Sequence, residues 1–326
     1  YTNAESSAAS DVYKRQTRAR TGALPYGAIM NLGIFGSSAT ISGLRADIEA
    51  AAAAGFGSYW TPQIFDLDAL TALAVVAADV PDIRLGTAVV PTYPRHPMAL
   101  AQQALTVNQV AGGRLDLGIG LSHKPVVEGM WGLSFERPVK HMSDYLKVLM
   151  PLLSEQRVSH GGELVTGRGE LGVRAEAPPV YVAALGEQML RLAGRLADGT
   201  VTWMTGAKTI ADLTAPTIAA AAAAAGRPAP AVIAAVPVCL TSDVADARAR
   251  AATEYAIYGQ LPSYRAMLDH EGLAGPEDLA LIGDMDTIAA GLQRLDDAGA
   301  TTVVANPFGS RDQVDATRAA VAELIG

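Results

Sequence analysis

The chain has a single cysteine, Cys239, among 326 residues. One thiol cannot close an internal disulfide, so burial and hydrogen bonds must hold the fold, and a reducing cytoplasm is the compartment that suits it. Cys239 sits in the apolar run AAVPVCL and reads as core. Histidine is also scarce. His96, His123, His141, His160 and His270 are the whole set, with no HxH or HExxH spacing, so no metal site is expected. There is no GxSxG elbow, which argues against a serine hydrolase. No GxGxxG follows the first strand, which argues against dinucleotide binding of the Rossmann type. Basic runs and basic-aromatic patches are missing from a chain of net charge −8, so nucleic acid is not an expected partner. No apolar stretch has the length and variety of a membrane span, and Ala219–Ala225 is only a helix-forming alanine tract. The first 29 residues lack the apolar core of a signal peptide.

Half of the residues are hydrophobic, and glycine (32) and proline (18) punctuate the chain. The length suits one large α/β domain with a sizeable core. Residues 1–29 are polar, of mixed charge, and follow neither a helical nor a strand period. They read as a leader, disordered or foreign to the native chain, and residues 30–326 as one domain.

Ile83 to Trp131 organises that domain. Two apolar runs, Ile83–Val90 and Leu115–Ile119, flank a helical stripe at Leu100, Ala104 and Val107, with Ala101 and Leu105 beside it. This is a βαβ unit with parallel strands. Further strands are expected near Asn31–Phe35, Ser58–Trp60, Val180–Ala183, Gly199–Trp203, Ala231–Leu240 and Thr301–Ala305, with helices between them. Eight strands alternating with helices indicate a (β/α)8 TIM barrel, with a doubly wound open sheet as the runner-up. Ser154–Pro179 is rich in glycine and turn signals and breaks the rhythm. It reads as an inserted hairpin or loop between strands 4 and 5, lying over the strand ends. In parallel barrels those ends are where ligands bind.

The segments GTAVVPTYPRHP, AQQALT and GGRLDLGIGLSH occur in order, with WTPQIFD upstream and AALGEQMLRLAGRLADGTVTW downstream. Together they resemble the luciferase-like monooxygenase superfamily, and within it the branch of coenzyme F420 (deazaflavin)-dependent oxidoreductases. The resemblance covers nearly the whole chain after Met30 and implies a bacterial-luciferase-like barrel. It also implies hydride transfer between the deazaflavin and a small organic substrate, and a possible homodimer. The alternatives it leaves are a monooxygenase using flavin mononucleotide (FMN) and O2, and a non-catalytic flavin- or deazaflavin-binding protein.

The resemblance places a cis peptide at Ala88–Val89, after Thr87, behind the cofactor ring. Gly118 and Gly120 read as bare backbone that lets a planar ring approach, or as tight packing at the strand end. Ser122 and His123 follow. His123 titrates near neutrality and is the candidate acid, though a histidine in a loop can equally be structural. Gly186, Glu187, Gln188 and Met189 open a helix whose free N–H groups suit the cofactor phosphate, provided that the Glu187 side chain turns away. Gln63 stands where many relatives carry an acidic residue and a histidine. It can hydrogen-bond but cannot exchange protons. Arg95 and His96 read as helix capping more readily than as tail contacts. Arg95, Lys124, Arg137, Lys140, Arg168 and Arg174 supply cations for an anionic tail, against the plainer reading of a solvated surface. Tyr93, Trp131 and Trp203 are candidate pocket walls, and Asp116 is expected to pair with Arg84.

Overall fold

Leu115, Leu117 and Ile119 alternate with Asp116, Gly118 and Gly120, and all six residues are buried. Successive residues of a strand face opposite sides, so this strand has packing on both. The computed structural model, which describes residues 31–325 apart from Pro81, gives the reason. The apolar set meets an outer ring of helices, and the other set faces the inside of a barrel. The leader expected over residues 1–29 lies outside the described residues.

The strands are β1 (Leu32–Phe35), β2 (Ser58–Thr61), β3 (Arg84–Thr87), β4 (Val90–Pro91), β5 (Leu115–Gly120), β6 (Arg157–Gly161), β7 (Thr166–Glu170), β8 (Val180–Ala183), β9 (Gly199–Trp203), β10 (Ala231–Leu240), β11 (Leu281–Gly283) and β12 (Thr302–Pro307). Eight of them close a parallel ring in the order β1-β2-β3-β5-β8-β9-β10-β12 and back to β1. Short β4 continues β3 and pairs with β5, and β11 pairs with the far end of β10. The fold is a (β/α)8 barrel, as the alternation of elements predicts.

The helices are α1 (Ile41–Ala53), α2 (Ala69–Val76), α3 (Pro97–Val110), α4 (Pro138–Ser154), α5 (Glu187–Leu196), α6 (Ala215–Ala224), α7 (Val244–Glu254), α8 (Ala256–Gln260), α9 (Pro262–Glu271), α10 (Met285–Asp297) and α11 (Arg311–Ala322). Thr40, Asp68, Asp243, Asp284 and Ser310 cap their helices by accepting from backbone N–H groups. In α3 the expected stripe, Leu100, Ala101, Ala104, Leu105 and Val107, is buried. A buried leucine contributes about 1.5–3 kcal/mol, so this one face goes far towards fixing the helix on the sheet. Asn108, also buried, donates to the Glu176 carbonyl (2.9 Å) and accepts from the Leu115 N–H (3.0 Å), which sets the start of β5.

The inserted hairpin is present as β6 and β7, but it does not lie over the strand ends. It packs along the outside of α4. Gly167 comes so close to Val148 that no side chain would fit, and Gly162 does the same at Asp144. Asp144 is fully buried and accepts from Lys140 Nζ (2.7 Å) and the Leu164 N–H (3.0 Å). These contacts and burial take the hairpin to the helix flank. Asp144 is held well below the usual carboxylate range, at about 2, because these hydrogen bonds and the Lys140 charge outweigh the effect of burial.

Inside the barrel, volume is matched residue by residue. Trp60 fills the centre, and Gly86 on the next strand leaves the space its ring occupies. A methyl group on Gly118 would run into the Thr87 carbonyl, which is backbone and cannot turn aside. Gly118→Ala is therefore expected to cost about 3 kcal/mol, the upper end for overpacking. Gly129→Ala, where an added carbon meets nothing within 4 Å, should stay near wild type. Urea unfolding of the two variants checks this, and equal stabilities would remove the packing argument.

Candidate active site at the barrel mouth

The carboxyl ends of the strands gather the residues of interest. β3 ends at Thr87, the Ala88–Val89 peptide is cis, and the chain resumes as β4 beside β5. The Ala88 N–H donates to the Thr61 carbonyl (2.8 Å), which fixes the break against β2. Ala88 and Val89 are half-buried and join the inner apolar cluster with Phe35, Ala183 and Trp203. They form a small apolar platform.

Several expected ligand contacts are taken by the fold. The Thr87 hydroxyl accepts from the Gly118 N–H (2.9 Å) and donates to the Gly118 carbonyl (2.8 Å), so it is used up between strands. Gly118 and Gly120 do not open room for a ring. The Thr87 carbonyl fills the first space, and Val89 the second, 2.5 Å from where a Cβ would stand on Gly120. Their role is to admit the break at residues 88–89. Gln63 spends its amide on α2, donating to Asp68 (3.1 Å) and accepting from the Ala69 N–H (3.2 Å). Arg95 pairs with Asp68, and His96 caps α3 through the Met98 N–H while its other nitrogen meets the Thr166 carbonyl (2.9 Å). The plainer reading of both residues is the one the structure gives.

Beyond β5 the backbone turns sharply. Ser122 is left-handed (φ 60°), a conformation that costs a residue with a side chain about 1–2 kcal/mol and is kept where the surroundings enforce it. Met204, just past β9, is left-handed too (φ 52°). The turn at Ser122 presents His123, whose carbonyl accepts from the N–H groups of Val126 and Val127 (both 2.9 Å). The imidazole is half-buried, edge-on to Tyr264 with ring centres 6.0 Å apart. Burial lowers its pKa from the ordinary value, so it is neutral near pH 7. A neutral imidazole takes a proton more readily than it gives one. The neutral ring is better suited to accept a proton than to serve as the acid that the sequence suggests.

The next strand round the ring, β8, leads into the start of α5. Its first hydrogen bonds run from the Met189 and Leu190 N–H groups to the Gly186 carbonyl (3.1 and 3.0 Å), leaving the Glu187 and Gln188 N–H groups ahead of them without helical partners. A Cβ on Gly186 would meet nothing within 4 Å, so this end is open. The Glu187 carboxylate turns back to Arg191 (2.5 Å). The Met189 side chain is buried in the core, so only its backbone faces this turn.

The aromatic side of the mouth was legible only at Trp203. Phe35 stacks on Trp203 (5.9 Å), Trp203 meets Tyr255 and Tyr258 edge-on (5.9 and 6.0 Å), and Tyr258 meets Tyr264 (4.8 Å). Tyr255, Tyr258 and Tyr264 come from the α7–α9 excursion between β10 and β11, where no period singles them out. Tyr93 lies elsewhere, stacked on His141 (4.0 Å) and beside Phe135. Trp131 is half-buried and takes no part in these ring contacts.

The sequence profile of the luciferase-like monooxygenases matches residues 26–323. The chain belongs to the luciferase-like monooxygenase family. The 5,10-methylenetetrahydromethanopterin reductase of Methanolobus tindarius is 29% identical over 205 residues, and the match spans 62% of each chain, a little under two thirds of that relative. The coenzyme F420 dependent tetrahydromethanopterin reductase from Methanopyrus kandleri superposes with a TM-score of 0.76 at 20% identity, covering 92% of this chain and 98% of that one. The oxygenating constituent of 3,6-diketocamphane monooxygenase from Pseudomonas putida, in complex with FMN, gives 0.70 at 17%, covering 91% and 96%. These two structures share the luciferase-like barrel with this chain.

Most of the cations expected at this family member's rim have partners. Arg95 pairs with Asp68, Lys124 with Glu128 (3.7 Å), Arg137 with Glu163 and Lys140 with Asp144. Arg168 is on the outer hairpin, and Arg174 follows it on the way back to the start of β8. Their positions do not gather at the mouth.

Beside Tyr93, His141 lies against the Thr92 hydroxyl (3.2 Å) and is lowered to about 4 by burial, with Asp144 opposing. In the unfolded chain it titrates near 6.5. Between those values the unfolded state binds the extra proton, so this contribution to stability is lost as pH falls from 6.5 towards 4. Wild type should lose more stability over that window than His141→Gln in paired urea unfolding curves. Parallel losses would show that His141 is not buried neutral.

Proposed function

We propose that this chain is an oxidoreductase that holds a deazaflavin at the barrel mouth and exchanges a hydride between it and a small organic substrate. The observation that carries the reading is the pairing of an apolar platform, Ala88 and Val89, with an open helix start at Gly186 on the same mouth. A flat ring needs the first and a phosphate the second. The residues therefore fit a ring cofactor with an anionic arm. Ala88 and Val89 would back the ring. The backbone at Gly186, Glu187 and Gln188 would hold the phosphate, with Glu187 kept aside by Arg191. When bound, the deazaflavin supplies the carbon that gives or accepts the hydride.

The chain's own part is orientation, exclusion of water and one proton. His123, neutral and half-buried, is set to take a proton from a substrate oxygen. This favours oxidation of the substrate as the direction that the residue assists. The choice of deazaflavin is supported by the reductase relatives, one of them named for coenzyme F420. The cationic rim no longer supports it, because four of its six members are answered by carboxylates. The FMN-bound neighbour keeps flavin mononucleotide as the second reading.

Titration of the full chain with each cofactor, at matched salt, decides between them. Binding of the deazaflavin with little binding of FMN is expected. The reverse would promote an O2-using monooxygenase, and binding without turnover of any alcohol or ketone would indicate a carrier. With a reacting substrate, His123→Ala should lower kcat by about 10²-fold or more. The wild-type rate should hold through the ordinary histidine range and fall only on stronger acidification, because burial lowers the pH at which His123 takes up a proton. A rate that rises on acidification would make His123 the acid.

A further inference from the structure

The ring chain across the mouth also speaks to what reacts there. Phe35 ends β1, Trp203 ends β9, Tyr258 and Tyr264 reach in from α8 and α9, and Tyr264 meets His123, which follows β5. Strands β1 and β9 are not neighbours in the barrel, so the Phe35–Trp203 stack spans its opening. These four rings are half-buried, whereas Tyr255 (5% exposed) and Phe308 (3%) behind them are sealed. The back layer is core. The front layer keeps aromatic surface exposed beside the candidate proton acceptor.

Charge is settled in the opposite sense. Lys124 is held by Glu128, Arg191 by Glu187, and Lys208 by Asp212 (3.0 Å) with His270 next to it (3.3 Å). Glu271, at the end of α9, accepts the Thr209 N–H (2.5 Å) and so places a carboxylate of the protein's own at the short helical turn Ala207–Thr209 that follows β9. Arg311, at the start of α11, is exposed and makes no ion pair among the described residues, but it stands on the last helix, outside the ring chain. An anionic substrate brought against the rings would lose water without gaining a cation, which is costly.

We infer that the substrate is an uncharged secondary alcohol, or the matching ketone, that carries a flat ring, the ring against Trp203 and Tyr264 and the oxygen at His123; in the oxidising direction the carbinol C–H leaves as hydride to the deazaflavin and the O–H proton goes to His123. The inference deepens the proposed function and rests on it for the site of reaction. Aromatic surface favours such a ring through offset or edge contacts, and losing one such contact should weaken binding about five- to tenfold.

Calorimetric titration of the full chain near neutral pH with 2-naphthol and with 2-naphthyl phosphate tests it. The two probes share the ring and differ in charge. We expect 2-naphthol to bind at least tenfold more tightly, alone and with the deazaflavin present. Tyr264→Leu should weaken it about five- to tenfold, and Tyr264→Phe, which keeps the ring, should restore most of the affinity. Thermal unfolding of each variant separates lost contact from lost fold, and Trp203→Leu provides a second wall variant should Tyr264→Leu unfold. Equal or tighter binding of the phosphate, displacement of 2-naphthol by the cofactor, or indifference to both wall substitutions would overturn the inference. Failure of the deazaflavin to bind while the preference for 2-naphthol persists would instead count against the proposed cofactor.

Discussion

An eight-stranded barrel encloses a fixed and small volume, and this chain's architecture follows from how that volume is shared. Trp60 takes the middle, which obliges Gly86 to have no side chain. The Thr87 carbonyl takes the place beside Gly118, and Val89 the place beside Gly120. Each large group inside has a glycine on the adjacent strand. Close-packed interiors do not bend to admit an extra methylene. The glycines that look like cofactor signals in the sequence are better explained as the complement of their neighbours' bulk.

The same accounting separates the two ends of the barrel. Low in the interior, Asp116 is buried and accepts two hydrogen bonds from Arg84 (2.8 and 2.7 Å) and one from Tyr181 (3.3 Å). Burial, with Asp116 next to it, pushes the Tyr181 hydroxyl well above its ordinary pKa, so it stays a donor. A bidentate pair with its remaining lone pair filled can tolerate removal from water. The polar groups at that end are paired with one another. The mouth has an apolar platform, aromatic faces and a neutral imidazole. Chemistry belongs at the end where groups retain unspent capacity.

The strand and helix pattern was legible because burial imposes periods on it. Leu100, Ala104 and Val107 advertise α3, and the Arg84–Asp116 pair follows from opposite charges on adjacent parallel strands. The break at Ala88–Val89 came from family resemblance and from no local property of two small apolar residues. The hairpin's place was misread because Asp144 looks like an ordinary helix-surface carboxylate until its partners in space, Lys140 and Leu164, are known. The cations failed for a related reason. A sequence shows Arg95 and Arg137, but Asp68 and Glu163, which answer them, are 27 and 26 positions away. Tyr258 and Tyr264 were missed because the excursion that carries them combines short helices with no sustained stripe.

Two helical segments start after neighbouring strands, α5 after β8 and the short turn Ala207–Thr209 after β9, and the first N–H groups of each point ahead of the helix. At the second, the Glu271 carboxylate is already in place, received by the Thr209 N–H and lying over Gly206, where an added Cβ would push it aside. That contact also ties the end of α9 to the barrel, and with it the segment that brings Tyr264 to His123. At the first start, Gly186 faces open space, and the one nearby carboxylate is drawn off to Arg191. A protein anion thus does the work of anchoring the aromatic wall at one start, and the other is left for an anion from outside. On the proposed function, the asymmetry would orient a ring cofactor with its anionic arm towards Gly186 and leave the side under Tyr258 and Tyr264 to the substrate.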